Sequence, residues 1–274
     1  MKLNLACAQI APERMEKEKN IDKICAYIIK IMTEKPNTDL IVFPELATSG
    51  CEGDKPEFDR LAEYYGKGES FCRIGELAKK YQVHIIYGYP QRDDQVMDVL
   101  YNAIALIDSS GEAAGNYQKV HPFGKEVLWM RPGHEFPVFD TKIGKIGIMN
   151  CWDTAFPEVA RIYALKGAQL LTSSANWEDP YFEDWDLCTK ARCLDNILPM
   201  AACNRVGKDI QLSFFGHSCI LSGVGKIVSG LMEPVEGCVY GEVDTEETRQ
   251  KRTTYYTYFT DRKPGLYEEI VREY

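Results

Sequence analysis

The chain has 274 residues, 45% of them apolar and 27% charged, a balance that suits a globular fold and excludes a fibrous or low-complexity one. Its formal net charge of −9 argues against nucleic acid as the main partner, because phosphate binding needs a basic surface. No apolar run approaches the ~18–20 residues that span a bilayer, so a membrane partner is not expected either.

In chain order, Leu3 to Ile10 reads as a strand. Its apolar stretch is short and alternating, unlike a secretion signal. The ten cysteines are therefore expected as reduced thiols in the cytoplasm. Ile21, Ile24, Cys25, Ile28 and Met32 recur at helical spacing, and Pro36 and Asn37 end that helix. Asp39 to Phe43 is a buried strand. Ser70 is expected to cap a helix carrying Phe71, Ile74, Leu77, Ala78 and Tyr81. Val83 to Tyr89 is a further strand, and Leu100 to Lys119 a hairpin turning near Ser109 to Gly111. Lys145 to Asn150 is the strand before Cys151. Pro157 opens a helix, Ala168 to Asn176 is a strand and Tyr181 to Asn196 a helix. Leu198 to Asn204 is a strand, and Phe215 to Glu233 a strand pair about a glycine turn. Early strand–helix alternation with late hairpins favours a layered α/β sandwich. No linker or repeat interrupts it, so residues 1–274 read as one domain.

Gly223-Val224-Gly225 lies between strands and lacks the third glycine of a dinucleotide loop, so it marks no cofactor site. The four dispersed histidines, and Cys188 and Cys193 at five-residue spacing, point to no metal. Three strand ends carry more. Glu45 follows one strand, Lys119 a second and Cys151 a third. Neighbouring strand ends of one sheet would bring an acid, an amine and a thiol together. A free thiol, pKa ~8.5, is mostly unreactive at neutral pH. A carboxylate that takes its proton activates it. An ammonium favours the thiolate and holds the oxyanion of a tetrahedral intermediate, with the Trp152 N–H as second donor. Such a site attacks a carbonyl or nitrile carbon and needs no cofactor. Taken singly, each residue also has a plain reading: a turn acid, a surface lysine, a packed thiol.

The blocks Phe43 to Leu46 (FPEL), Tyr117 to Phe123 (YQKVHPF) and Cys151 to Arg161 (CWDTAFPEVAR) resemble, in order and separation, the signatures of the nitrilase superfamily of carbon–nitrogen hydrolases. The resemblance runs from LACAQIAP to DRKPGLYEEI. It implies a four-layer α-β-β-α sandwich, with Glu45 as general base, Lys119 as oxyanion holder and Cys151 as nucleophile. Glu126 matches a second glutamate that bonds the lysine and helps orient substrate, or else makes a simple salt bridge. It also implies homodimers or larger homo-oligomers, with the tail, residues 245–274, crossing to a partner or strapping its own subunit. Pro122 departs from the common His-Leu-Phe pattern. His121 reads as a packing or supporting residue.

Many true nitrilases have Cys-Trp-Glu where this chain has Cys151-Trp152-Asp153. The block is closer to amidases and N-carbamoyl-amine hydrolases, which implies a small amide or N-carbamoyl substrate and release of ammonia. A nitrilase, a catalytically silent scaffold member and a redox-sensing thiol protein are the alternatives. Asn176, Trp177 and Trp152 are expected to line the substrate pocket, against the plain reading of loop and core packing.

Overall fold

The computed structural model describes residues 1–273. Its first strand, β1 (Lys2–Gln9), already belongs to two cores. Leu3, Leu5 and Cys7 face one and Ala6 and Ala8 the other, because alternate side chains leave a strand on opposite faces. α1 (Lys17–Glu34) buries Ile21, Ile24, Ile28, Ile31 and Met32 along one stripe. β2 (Leu40–Val42) follows. α2 (Lys55–Leu61) is capped by Asp54, with Glu57 reaching back to the cap. α3 (Glu69–Tyr81) begins after Gly68. Ser70 therefore does not cap it: it sits inside the first turn, and its hydroxyl bonds the Glu63 carboxylate.

β3 (His84–Arg92), β4 (Leu100–Ile107) and β5 (Ala113–Gln118) form a meander, turning between β4 and β5 where expected. β6 (Val138–Thr141) pairs with β7 (Gly144–Asn150). α4 (Pro157–Leu165), β8 (Leu170–Ala175), α5 (Phe182–Asn196) and β9 (Met200–Asn204) repeat the strand–helix alternation. A small hairpin of β10 (Val206–Lys208) and β11 (Ser213–Phe215) precedes β12 (Ser218–Leu221) and β13 (Ile227–Leu231). Gly223 to Gly225 lie in the β12–β13 turn. β14 (Gly237–Asp244), α6 (Thr245–Thr254) and α7 (Tyr258–Asp261) end the described elements of regular structure that bear on the site.

The main sheets run β14-β1-β2-β3-β4-β5 and β13-β12-β9-β8-β7-β6. Each keeps three parallel strands at its centre, β1-β2-β3 and β7-β8-β9. Parallel strands need helical crossovers and burial on both faces, which is why these segments read as nearly unbroken apolar runs. One core lies between the sheets, from Leu5, Val42 and Ile86 to Ile146, Ile148 and Ile220. A second lies under α1 and α3, and a third under α4 and α5. The result is the expected four-layer α-β-β-α sandwich. Among the described residues no helix is long and apolar enough to cross a membrane. All ten cysteines are free thiols.

Candidate active site

β2 ends in Val42, and the chain turns at Glu45 beside β3. Gly88 of β3 permits the approach: a β-carbon there would come within 2.3 Å of the Leu46 nitrogen and 2.7 Å of the Glu45 Cα. Leu46, directly after Glu45, holds a left-handed φ of +45°. Lys119 follows β5, and its backbone bonds Asn102 and Gly133. Cys151 follows β7 in the second sheet. The three residues thus come from facing sheets, which corrects the expectation of one shared sheet edge. The two layers are tied there by the Ser174 hydroxyl, which donates to the Phe43 carbonyl at 2.7 Å.

The Lys119 ammonium lies 2.6 Å from Glu45 Oε1 and 2.8 Å from Glu126 Oε2. All three side chains are at least four-fifths buried, Lys119 and Glu45 almost wholly. Burial alone would lower the Lys119 pKa, but the Glu126 and Glu45 carboxylates outweigh it and hold it well above the usual range. Glu126 also accepts the Phe123 N–H at 2.9 Å. Asn102 joins both acids, its Nδ2 donating to Glu45 Oε1 at 2.7 Å and to Glu126 Oε1 at 2.5 Å. Sequence reasoning missed Asn102; the signal was a lone amide inside the buried β4 run.

Cys151 is 6% exposed and has φ +50°, a backbone that residues bearing a β-carbon seldom adopt. Such outliers persist only where the surroundings over-determine them. Burial pushes its thiol well above the ordinary range, and the Glu45 charge and hydrogen bond add to this; Lys119 and the Asn176 N–H pull the other way. The balance of these influences favours the neutral thiol over the thiolate.

Asn176 donates its backbone N–H to Glu45 Oε2 at 2.8 Å. Both atoms of its side-chain amide are buried without a hydrogen-bond partner. Trp152 lies between Phe123 and Trp177, tilted 49° to each, with ring centroids 4.8 and 5.8 Å away, and Trp177 continues to Trp185. His121 lies flat on Phe156 at 3.9 Å and pairs with Asp153, a supporting position as expected. No group of three or more His, Cys, Asp or Glu among the described residues is arranged to hold a metal.

The four-layer sandwich thus gathers a thiol, an ammonium and two carboxylates where its two sheets meet. The chain belongs to the carbon-nitrogen hydrolase family, the nitrilase superfamily: the family model matches residues 4–253. A probable nitrilase of Schizosaccharomyces pombe is 46% identical over 271 residues, 99% of each chain. An N-carbamoylputrescine amidase of Solanum lycopersicum is 31% identical over 241 residues, 81% of this chain and 79% of that one. The crystal structure of a carbon-nitrogen hydrolase from Helicobacter pylori G27 superposes with a TM-score of 0.92 at 26% identity, covering all of both chains.

Proposed function

We propose that this enzyme hydrolyses a small amide or N-carbamoyl compound through a thioester on Cys151. The observation that carries the reading is the buried cluster of one ammonium and two carboxylates, set close enough to the Cys151 thiol for the Glu45 and Lys119 charges to act on it.

Glu45 takes the thiol proton as the sulfur attacks the carbonyl carbon. The C=O π bond becomes an oxyanion, held by the Lys119 ammonium and the Trp152 N–H. The intermediate collapses, the C–N bond breaks, and Glu45 returns the proton to the departing ammonia. Water then attacks the thioester with Glu45 again as base, and the thiol is restored. Glu126 and Asn102 hold Glu45 and Lys119 in register throughout. The unpartnered Asn176 amide awaits the polar groups of a substrate, since a buried donor and acceptor left empty are costly. Trp152 and Trp177 form the apolar wall beside it.

The test is ammonia release from short amides, ω-amides, N-carbamoyl amines and nitriles, with Cys151→Ala alongside. Release from amides or N-carbamoyl amines, absent in the variant, supports the reading. Release from nitriles alone would replace it with a nitrilase, the activity named for the S. pombe relative. Silence on every substrate would favour a scaffold role.

Homodimerisation belongs to the same reading. α6 and α7 lie on their own subunit, with Phe259 between the Arg161 and Arg252 guanidinium groups. Beyond them Leu266, Ile270 and Val271 stand 80, 61 and 83% exposed, apolar surface suited to a second copy. Tyr274, the last residue of that tail, lies outside the described residues. Light scattering on the full chain and on one ending at Arg262 checks this; an unchanged mass sinks it. Function in a reducing, cytoplasmic setting fits a nucleophilic thiol, and cell fractionation tests it.

A further inference from the structure

Two residues past Cys151 a carboxylate lies wholly out of solvent. Asp153 has no exposed surface, and among the described residues no lysine or arginine pairs with it; the basic side chain beside it is His121. Four donors fill it. Oδ2 accepts the Tyr117 hydroxyl at 2.7 Å and the Asn150 N–H at 3.1 Å. Oδ1 accepts the His121 N–H at 3.1 Å and His121 Nδ1 at 2.7 Å.

These donors come from two places that matter. Asn150 directly precedes Cys151, so the Asp153–Asn150 bond closes a small loop around the thiol. Tyr117 and His121 stand two residues before and two after Lys119. One side chain therefore holds the turn of the nucleophile in one sheet and both flanks of the lysine in the other. Resting on the hydrolytic reading above, we propose that Asp153 is a positioning residue for the reaction: its carboxylate sets the spacing between Cys151 and Lys119, and so between the attacking sulfur and the oxyanion holder.

The geometry explains why this position carries a side chain with two acceptor oxygens. Each oxygen faces one backbone N–H, of Asn150 or of His121, and neither can turn away as a side chain can. An amide at 153 has only one acceptor atom, so it must point its NH2 at one of those N–H groups. Either the loop around Cys151 opens or the Lys119 flank lets go. Cys151, at φ +50°, relies on such surroundings to stay in place.

The test is Asp153→Asn in the full chain. A shift of about 1 Å between reacting groups costs on the order of a hundredfold in rate, so kcat is expected to fall about a hundredfold with KM nearly unchanged. Lys119 lowers the thiol pKa, so its drift from Cys151 should move the pH profile of Cys151 alkylation by iodoacetamide upward. Should that variant fail to fold, Tyr117→Phe combined with His121→Phe decides the matter. It keeps the ring on Phe156 and removes only the two side-chain ties to the lysine strand. Its expected loss in kcat is about tenfold, with the same direction of alkylation shift. A folded variant with wild-type kcat and an unmoved alkylation profile overturns the proposal, as does a loss confined to KM. The alkylation profile needs no turnover. If the wild type proves inert on all substrates, the hydrolytic reading fails while that profile still decides the role of Asp153.

Discussion

Asp153 and Asn176 are both buried polar side chains close to Cys151, and the fold treats them oppositely. Asp153 has both oxygens filled by four donors. Asn176 has neither side-chain atom bonded, although its backbone N–H grips Glu45. Buried polar groups are nearly always satisfied, so the contrast sorts the two by task. A filled group holds the protein together and has nothing left for a ligand. An empty one is costly where it stands, and on the reading proposed above a substrate would fill it. The same division separates Glu126 and Asn102, occupied by each other and by Lys119, from the Cys151 thiol proposed as nucleophile.

The largest effect that tests this division comes from Cys151, the proposed nucleophile. Cys151→Ala is expected to lower kcat by at least about 10⁴-fold while the fold stays intact, since removing a covalent nucleophile leaves only binding and oxyanion stabilisation. Ammonia release and thermal melting measure the two sides. Near-normal turnover would assign the chemistry elsewhere.

Glu45→Gln comes next, at about 10³-fold in kcat, within the range for a lost general base. Its sign is the sharper test. The Glu45 charge and hydrogen bond both raise the Cys151 pKa. Removing that charge lowers the pKa, so alkylation of the thiol should move to lower pH even as hydrolysis fails. Asp153→Asn moves it the other way. Coincident shifts in the two variants would show that general damage, rather than these specific charges, governs the thiol.

Parts of this arrangement were legible in the residues alone because they sit where apolar runs stop. Glu45, Lys119 and Cys151 each end such a run, and the three signature blocks named the family. Which sheet each strand joins was not legible, because pairing depends on contacts distant in sequence: β1 pairs with β14 across more than 200 residues. β14 escaped notice because its glycines and acids mask a half-buried alternation, with Val239 and Val243 inward. β6, four residues at a sheet edge, three of them half-buried, is too short to carry a pattern. Ser70 looked like a cap because local propensity favours serine there, yet Glu63, brought in by α2, claims its hydroxyl. Asn102 and Asp153 were visible as lone polar residues in or beside buried runs, but their roles depend on partners contributed by other strands.

Asn176→Leu separates binding from stability. Replacing an unpaired buried amide with an apolar group of similar size is nearly neutral or stabilising, so the melting temperature should hold or rise. KM should climb about tenfold, equivalent to about 1.4 kcal/mol of lost substrate contact, with kcat changed far less. This is the stability–function exchange expected of a residue kept for binding. A lower melting temperature with unchanged KM would show that the amide is held by the protein in solution and has no part in recognition.

The smallest effect guards against reading every empty donor as a binding site. Arg161 Nη1 is also buried without a partner, but it lies under the tail, where the guanidinium faces the Phe259 ring at 4.9 Å and Arg252 faces it at 4.5 Å. The Arg252 charge is itself disfavoured, first by burial and then by Arg161, which brings its pKa down to about 10. Phe259→Ala removes two cation–π contacts, each worth ~0.5–1 kcal/mol at exposed sites, and opens both arginines to water, which returns hydration to the empty Nη1 and to the two crowded charges. The gains and losses oppose each other, so the net change in stability should stay under about 1 kcal/mol, with kcat and KM within about twofold of wild type. Chemical denaturation and steady-state kinetics measure both. A rise in KM comparable to that of Asn176→Leu would mean that the tail reports to the pocket, and the line drawn between holding groups and waiting groups would then have to include α7.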